Sequence, residues 1–120
     1  MNMTVINMNL DTIYFNFIKN GQKIYETRIF DDKRKEIKLK DIIIFKERGT
    51  KKSFKTEVIE LSHFSNFRDA IQDCGLKKVM PNAHSIDKAV ELYESFPHDL
   101  GTYKVAAKKL GVLRFMIRLL

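Results

Sequence analysis

In Gly21-Gln22-Lys23-Ile24-Tyr25-Glu26-Thr27-Arg28-Ile29 the residues from Lys23 onward alternate in polarity and are rich in β-branched and aromatic side chains. That is the pattern of a half-buried β-strand. Just before it, Leu10, Ile13, Tyr14, Phe17 and Ile18 recur at helical spacing. They predict a short helix over residues 10–19, with Asn9 or Asp11 as cap and Asn20-Gly21 as stop. The period thus changes from helical to alternating at Gly21, and the chain mixes both element types from its start. On the strand, Glu26 and Arg28 share one face, with Cα atoms roughly 6.5 Å apart. Lys23 has the opposite parity and joins them only if it sits at the mouth of the strand, where Gly21 lets the chain turn. Tyr25 and Thr27 fall on the other face and read as core or sheet packing.

Working outward, Asp31 to Lys40 is a charged loop, and Asp41-Ile42-Ile43-Ile44-Phe45 is apolar on both faces, as a central strand is. Phe54 to Leu61 reads as a third strand, forming a hairpin with the second across the Arg48-Gly49 turn. Ser65 is placed to cap a helix carrying Phe67, Ala70, Ile71 and Cys74, stopped by Gly75. Pro81-Asn82 breaks the chain. Ser85 then caps a helix whose inward stripe is Ile86, Ala89, Val90, Tyr93 and Phe96, ended by Pro97. Tyr103 to Leu110 is a turn or short helix. From Gly111 the chain alternates again, with Leu113, Phe115, Ile117 and Leu119 on one face and Arg114, Met116 and Arg118 on the other. Helices interrupting a run of strands, with no repeat or linker, predict an α+β fold with a curled or barrel-like sheet, in one domain over residues 1–120.

Hydrophobic residues make up 44% of the 120 and charged residues 31%, the balance of a packed globular chain rather than a disordered tail. Twenty-two Lys and Arg against fifteen Asp and Glu leave a formal charge of +7, which favours an anionic partner such as nucleic acid. The lone cysteine, Cys74, cannot form an internal disulfide, and Met1 to Leu10 has no basic n-region. Cytoplasm or nucleus is therefore the expected compartment. The longest unbroken apolar run, Ile42 to Phe45, falls far short of the ~20 residues of a membrane helix, and no membrane partner is expected. His63, His84 and His98 lack ligand-like spacing to one another or to Cys74, so no metal and no cofactor are expected.

The segment from Leu10 to Arg28 resembles the start of an ASCH domain, whose signature is Gly-x-Lys-x-x-Glu-x-Arg after a short helix. Gly21, Lys23, Glu26 and Arg28 match all four positions. Asp41-Ile42-Ile43-Ile44-Phe45 is similar to the family's Gly-Asp-x-Ile-x-Phe strand, except that Lys40 stands where glycine is usual, so a different turn is expected there. Ser65 to Ile71, Gly75-Leu76, Pro81, Ala89-Val90 with Tyr93, and Gly111-Val112-Leu113 look like the later segments in the right order. The resemblance implies a PUA-like fold, a small β-barrel flanked by helices, with a cleft at the motif and a general association with RNA.

Chemically, arginine offers a planar fork suited to phosphate or a base edge, and glutamate accepts from a ribose hydroxyl or an exocyclic amine. Lys23, Glu26 and Arg28, with Arg34, Lys46, Arg48 and Lys52 in the loops that would rim the cleft, form the expected binding set for RNA or a nucleotide. The alternative is a hydrolase acting on RNA or on a modified nucleoside, with Lys23 and Glu26 as catalytic candidates. Some shorter ASCH relatives are amidohydrolases acting on acetylated cytidine, using a lysine and, three residues later, a threonine. Here Glu26 occupies that threonine position, so the resemblance does not carry the substrate over. A third reading is a protein-interaction module whose cleft holds no ligand. Arg114 and Arg118, sharing a strand face, are a further candidate basic patch.

Overall fold

The structure is a computed structural model that describes residues 4–120. Met1, Asn2 and Met3, part of the stretch read above for a leader, lie outside the described residues. The elements run β1 (Val5–Leu10), α1 (Thr12–Lys19), β2 (Tyr25–Ile29), a 3-10 turn (Arg34–Glu36), β3 (Ile42–Glu47), β4 (Ser53–Phe64), α2 (Phe67–Cys74), α3 (Leu76–Val79), α4 (Ile86–Ser95), β5 (Pro97–His98), β6 (Gly101–Thr102), α5 (Tyr103–Leu110) and β7 (Val112–Leu119). The mixed α+β class is as the alternation of periods predicts. β1 and the short α3 were not anticipated.

The five long strands form one sheet in the order β1-β3-β4-β7-β2, curled into a half-barrel with the helices around it. β1 runs parallel to β3, and every other pair is antiparallel. The expected hairpin is β3–β4, closed where the Glu47 N–H donates to the Lys52 carbonyl at 3.0 Å. β4 is longer than its sequence pattern predicted because two partners extend it in turn, β3 from Ser53 to Glu57 and β7 from Thr56 to Phe64. Ile59 is an extra residue in the β4–β7 ladder, and such a bulge adds the local twist that a curling sheet needs.

Two apolar clusters sit on the two faces of this sheet. Inside the curl, α1 supplies Phe15 and Ile18 against Ile43, Phe45, Val58, Leu113, Phe115 and Ile117. On the outer face α2, α4 and α5 pack Phe67, Ile71, Tyr93, Tyr103 and Ala106 against Ile29 and Val112. The ring of Phe67 stacks between Tyr93 and Tyr103, with centroids 4.9 and 5.7 Å away. Offset stacking of this kind adds to burial and fixes the helices against one another.

Local sequence chemistry sets the helix ends, with two differences from expectation. α2 is capped by Asn66, not Ser65: the Asn66 Oδ1 accepts from the Asp69 N–H at 2.8 Å. Both residue types cap well, and the chain turns one residue later. Asp11 stands at the cap position of α1 without a side-chain cap bond; its carboxylate pairs with Arg48 at 3.0 Å instead. Ser85 caps α4 as anticipated, its Oγ accepting from the Lys88 N–H at 3.1 Å. The turn expected to differ at Lys40 retains a left-handed residue: Lys40 has φ 73°, the conformation that glycine adopts without steric cost.

The expected basic patch on β7 is not formed. Arg114 is buried, its guanidinium between the rings of Tyr25 and Phe64 at 4.5 and 4.8 Å. Its Nη1 donates to the Ala70 carbonyl at 2.7 Å and its Nη2 to Asp73 at 2.8 Å. The helix α2, packed over this end of the strand, turns a nominally polar face into an interior one. Arg118 remains exposed and pairs with Glu57.

Candidate functional site: the open seam of the half-barrel

β1 and β2 are the two edges of the sheet and share no ladder. The gap between them is a cleft of about 320 Å³, with Asn9 and Leu10 of β1 on one side and Glu26, Thr27 and Arg28 of β2 on the other. Tyr14, Met80, Tyr93, Phe96 and Tyr103 complete a largely aromatic wall. The Arg28 side chain crosses the seam, its Nη2 donating to the Asn9 carbonyl at 3.3 Å.

The turn at Gly21, with φ 84°, brings the chain back from α1 so that the Lys23 N–H donates to the Phe17 carbonyl at 3.0 Å. Lys23 thereby stands at the mouth of β2, and its side chain runs under the cleft, 2% exposed. Its ammonium donates to the Tyr25 carbonyl at 2.9 Å, to the Val79 carbonyl at 2.6 Å and to the Tyr93 hydroxyl at 3.3 Å, with Glu26 Oε1 at 3.4 Å. An ammonium has three protons, so Lys23 is saturated by the protein. It ties β2 to the helical layer and leaves little to offer a ligand.

Glu26 is the centre of the charge chain. Its Oε1 also accepts from the Thr27 N–H at 2.9 Å, and its Oε2 lies 3.4 Å from the Nη2 of Arg28. Burial alone would raise the Glu26 pKa, but Lys23, Arg28 and the Thr27 N–H outweigh it and hold the carboxyl below its ordinary value. Burial lowers the Lys23 pKa, with Glu26 opposing. Burial also opposes the charge on Arg28, yet Glu26 prevails and raises its pKa. Desolvation pushes the Tyr93 phenol well up, so it stays protonated. The site therefore holds an ionised carboxylate between two cations, beside neutral hydroxyls.

Of the remaining residues expected to rim the cleft, only Arg48 does so, exposed at its edge beside Asp11. Arg34 is turned away, its Nη1 on Asp31 at 2.9 Å, in a neighbouring groove that also holds His98. Lys46 and Lys52 are exposed on the β3–β4 hairpin outside the lining of the cleft. Thr27, assigned from its parity to sheet packing, lines the cleft, as does Phe96, read as core. Tyr14, Tyr93 and Tyr103 were missed as well. Their helical spacing marked Tyr14 and Tyr93 as core, and a side chain at the end of a core stripe carries no local sign that its hydroxyl reaches a cleft.

The ASCH domain profile matches residues 8–112, from within β1 to the start of β7. The chain belongs to the ASCH domain family. Among solved structures, this ASCH domain is similar to the crystal structure of a hypothetical protein, PH0355, with 33% identity and a TM-score of 0.84 over 98% of this chain and all of that one. It is also similar to the solution structure of protein PF0455 from Pyrococcus furiosus, with 30% identity and a TM-score of 0.75 over 98% of each chain. No curated protein matches it. The fold is the PUA-like α+β fold of ASCH domains, a family generally thought to bind RNA. No helix among the described residues is long and apolar enough to cross a membrane.

Proposed function

We propose that this ASCH domain binds RNA, admitting one nucleotide into the seam between β1 and β2. The observation that carries this reading is the buried Lys23–Glu26–Arg28 chain at the base of an open, aromatic-walled cleft. Burying charges is costly, and a fold that only needed to close its barrel would do so with strand pairing. Lys23 fixes Glu26, while Glu26 and Arg28 meet the ligand: the carboxylate accepts from a base or ribose, and the guanidinium donates to an acceptor or phosphate. Tyr14, Phe96 and Tyr103 supply faces against which a base packs. Arg48 at the rim and the excess of basic residues attract the backbone.

The hydrolase reading has one feature in its favour, the lowered pKa of Lys23. Against it, the ammonium is spent on two backbone carbonyls and Tyr93, and Glu26 is held ionised below its ordinary pKa, a poor match for a general base acting near neutrality. The deciding experiment titrates labelled single-stranded RNA with wild type and Arg28→Gln at two salt concentrations, and follows strand integrity. Wild type should bind intact RNA with steep salt dependence, and Arg28→Gln should bind about tenfold more weakly, the loss of one charge-assisted bond. Cleavage by wild type would establish a ribonuclease instead; neither binding nor cleavage would defeat both RNA readings and turn the test to modified nucleosides.

A further inference from the structure

Thr27 is 1% exposed and lines the cleft, and its hydroxyl, close enough to the Tyr93 hydroxyl to influence it, makes no hydrogen bond of ordinary geometry among the described residues. A buried hydroxyl without a partner is a standing cost, which a protein sheds by exchange to valine unless something else requires the oxygen. Three neighbours set the chemistry around that hydroxyl. The Thr27 N–H is taken by Glu26 Oε1 at 2.9 Å, so the hydroxyl sits beside a carboxylate whose other oxygen faces Arg28 at 3.4 Å. The Tyr93 hydroxyl accepts from Lys23 at 3.3 Å, which leaves its own proton to donate. Arg28 makes its contacts through Nη2 alone, both of them long, at 3.3 and 3.4 Å.

The cleft therefore presents donors from Thr27, Tyr93 and Arg28 around one acceptor, Glu26. The complementary edge is rich in carbonyl oxygens and carries one N–H: a lactam edge with two carbonyls flanking one N–H, as in uracil. Cytosine and adenine put an exocyclic amine beside an acceptor ring nitrogen and offer fewer oxygens to these donors. Resting on the reading of the cleft as a nucleotide site, we infer that Thr27 is a specificity-determining residue whose hydroxyl donates to a carbonyl of a lactam-type base while Glu26 accepts the ring N–H beside it.

The test compares wild type with Thr27→Val and Thr27→Ser, measuring thermal midpoint and affinity for oligo-U, oligo-C and oligo-A. Wild type should prefer oligo-U. Thr27→Val, which keeps the shape and drops the oxygen, should melt higher than wild type yet bind oligo-U about tenfold more weakly, with the preference over oligo-C reduced. Thr27→Ser should retain the preference. A hydroxyl kept only for packing or folding would give the reverse: Thr27→Val melting lower, with affinity unchanged, and that result overturns the inference. Wild type binding all three RNAs alike also overturns it while leaving the nucleotide site standing. Wild type binding none of them removes the site and the inference together.

Discussion

Arg28 and Arg114 lie on adjacent, paired strands, Arg28 one residue along from the Thr27 that faces Arg114 in the β2–β7 register, yet their surroundings are opposite. Arg114 is gripped between two aromatic rings and bonded at 2.7 and 2.8 Å to groups of α2. Arg28 reaches across a gap, is 13% exposed, and holds two partners at 3.3 and 3.4 Å. Short bonds that occupy a guanidinium mark a fastener; long ones beside open volume mark a group with capacity left for a ligand. Charge and burial alone do not separate the two, because both arginines are largely enclosed and both adjoin carboxylates.

The contrast can be pressed hardest at Glu26, which anchors the Arg28 side. Glu26→Gln leaves Lys23 and Arg28 buried without their counter-charge and should cost about 3–5 kcal/mol at neutral pH. Because the folded pKa of Glu26 lies below its ordinary value, its contribution is complete above the unfolded pKa of about 4.3 and is lost as pH falls through the folded value. Denaturant titrations of wild type and variant should therefore converge on acidification; a gap that persists at low pH would mean the carboxylate acts by packing alone. Next comes Arg114→Met, which removes the fastener and should lower stability by about 3 kcal/mol while leaving the salt slope of RNA binding unchanged. Arg28→Gln should show the inverse pattern, losing affinity at a smaller stability cost of about 1–2 kcal/mol, because Lys23 still faces Glu26 at 3.4 Å. If both arginine variants lost stability and affinity together, the distinction between fastener and ligand group would fail.

The smallest effect belongs to Lys40. A non-glycine residue in the left-handed region costs about 1 kcal/mol, part of which glycine returns as chain entropy. Lys40→Gly should raise stability by roughly 0.5 kcal/mol with RNA affinity unchanged, measurable as a shift in denaturant midpoint.

The sequence made β2, β3, β7 and the stripes of α2 and α4 readable because each repeats a period over enough residues to stand out. β1 was not, since Asn7 and Asn9 alternate with only Met8 and Leu10 inward, and asparagine is poor strand currency. The motif brought Lys23, Glu26 and Arg28 into view, but not their division of labour. The role of Lys23 depends on the Val79 carbonyl and on Tyr93, 56 and 70 positions away. Arg114 was misread for the same reason: strand parity gives a side chain's face, while what covers that face is decided by a helix elsewhere. Basic residues in loops gathered at the cleft only where the chain returned to it, at Arg48, and not at Arg34, Lys46 or Lys52.

The seam between β1 and β2 has a mechanical consequence. A strand ladder resists separation by many cooperative bonds, so a closed barrel has one width. Here, among the described residues, the Arg28 guanidinium reaches across the two edges, 3.3 Å from the Asn9 carbonyl. Spreading the edges would break that long contact without breaking a β-ladder, so the width of the seam rests on the curvature of the sheet, the packing of α1 against it and the reach of Arg28. In the RNA-binding reading, a nucleotide that takes over the Arg28 contact would be free to widen the seam it enters.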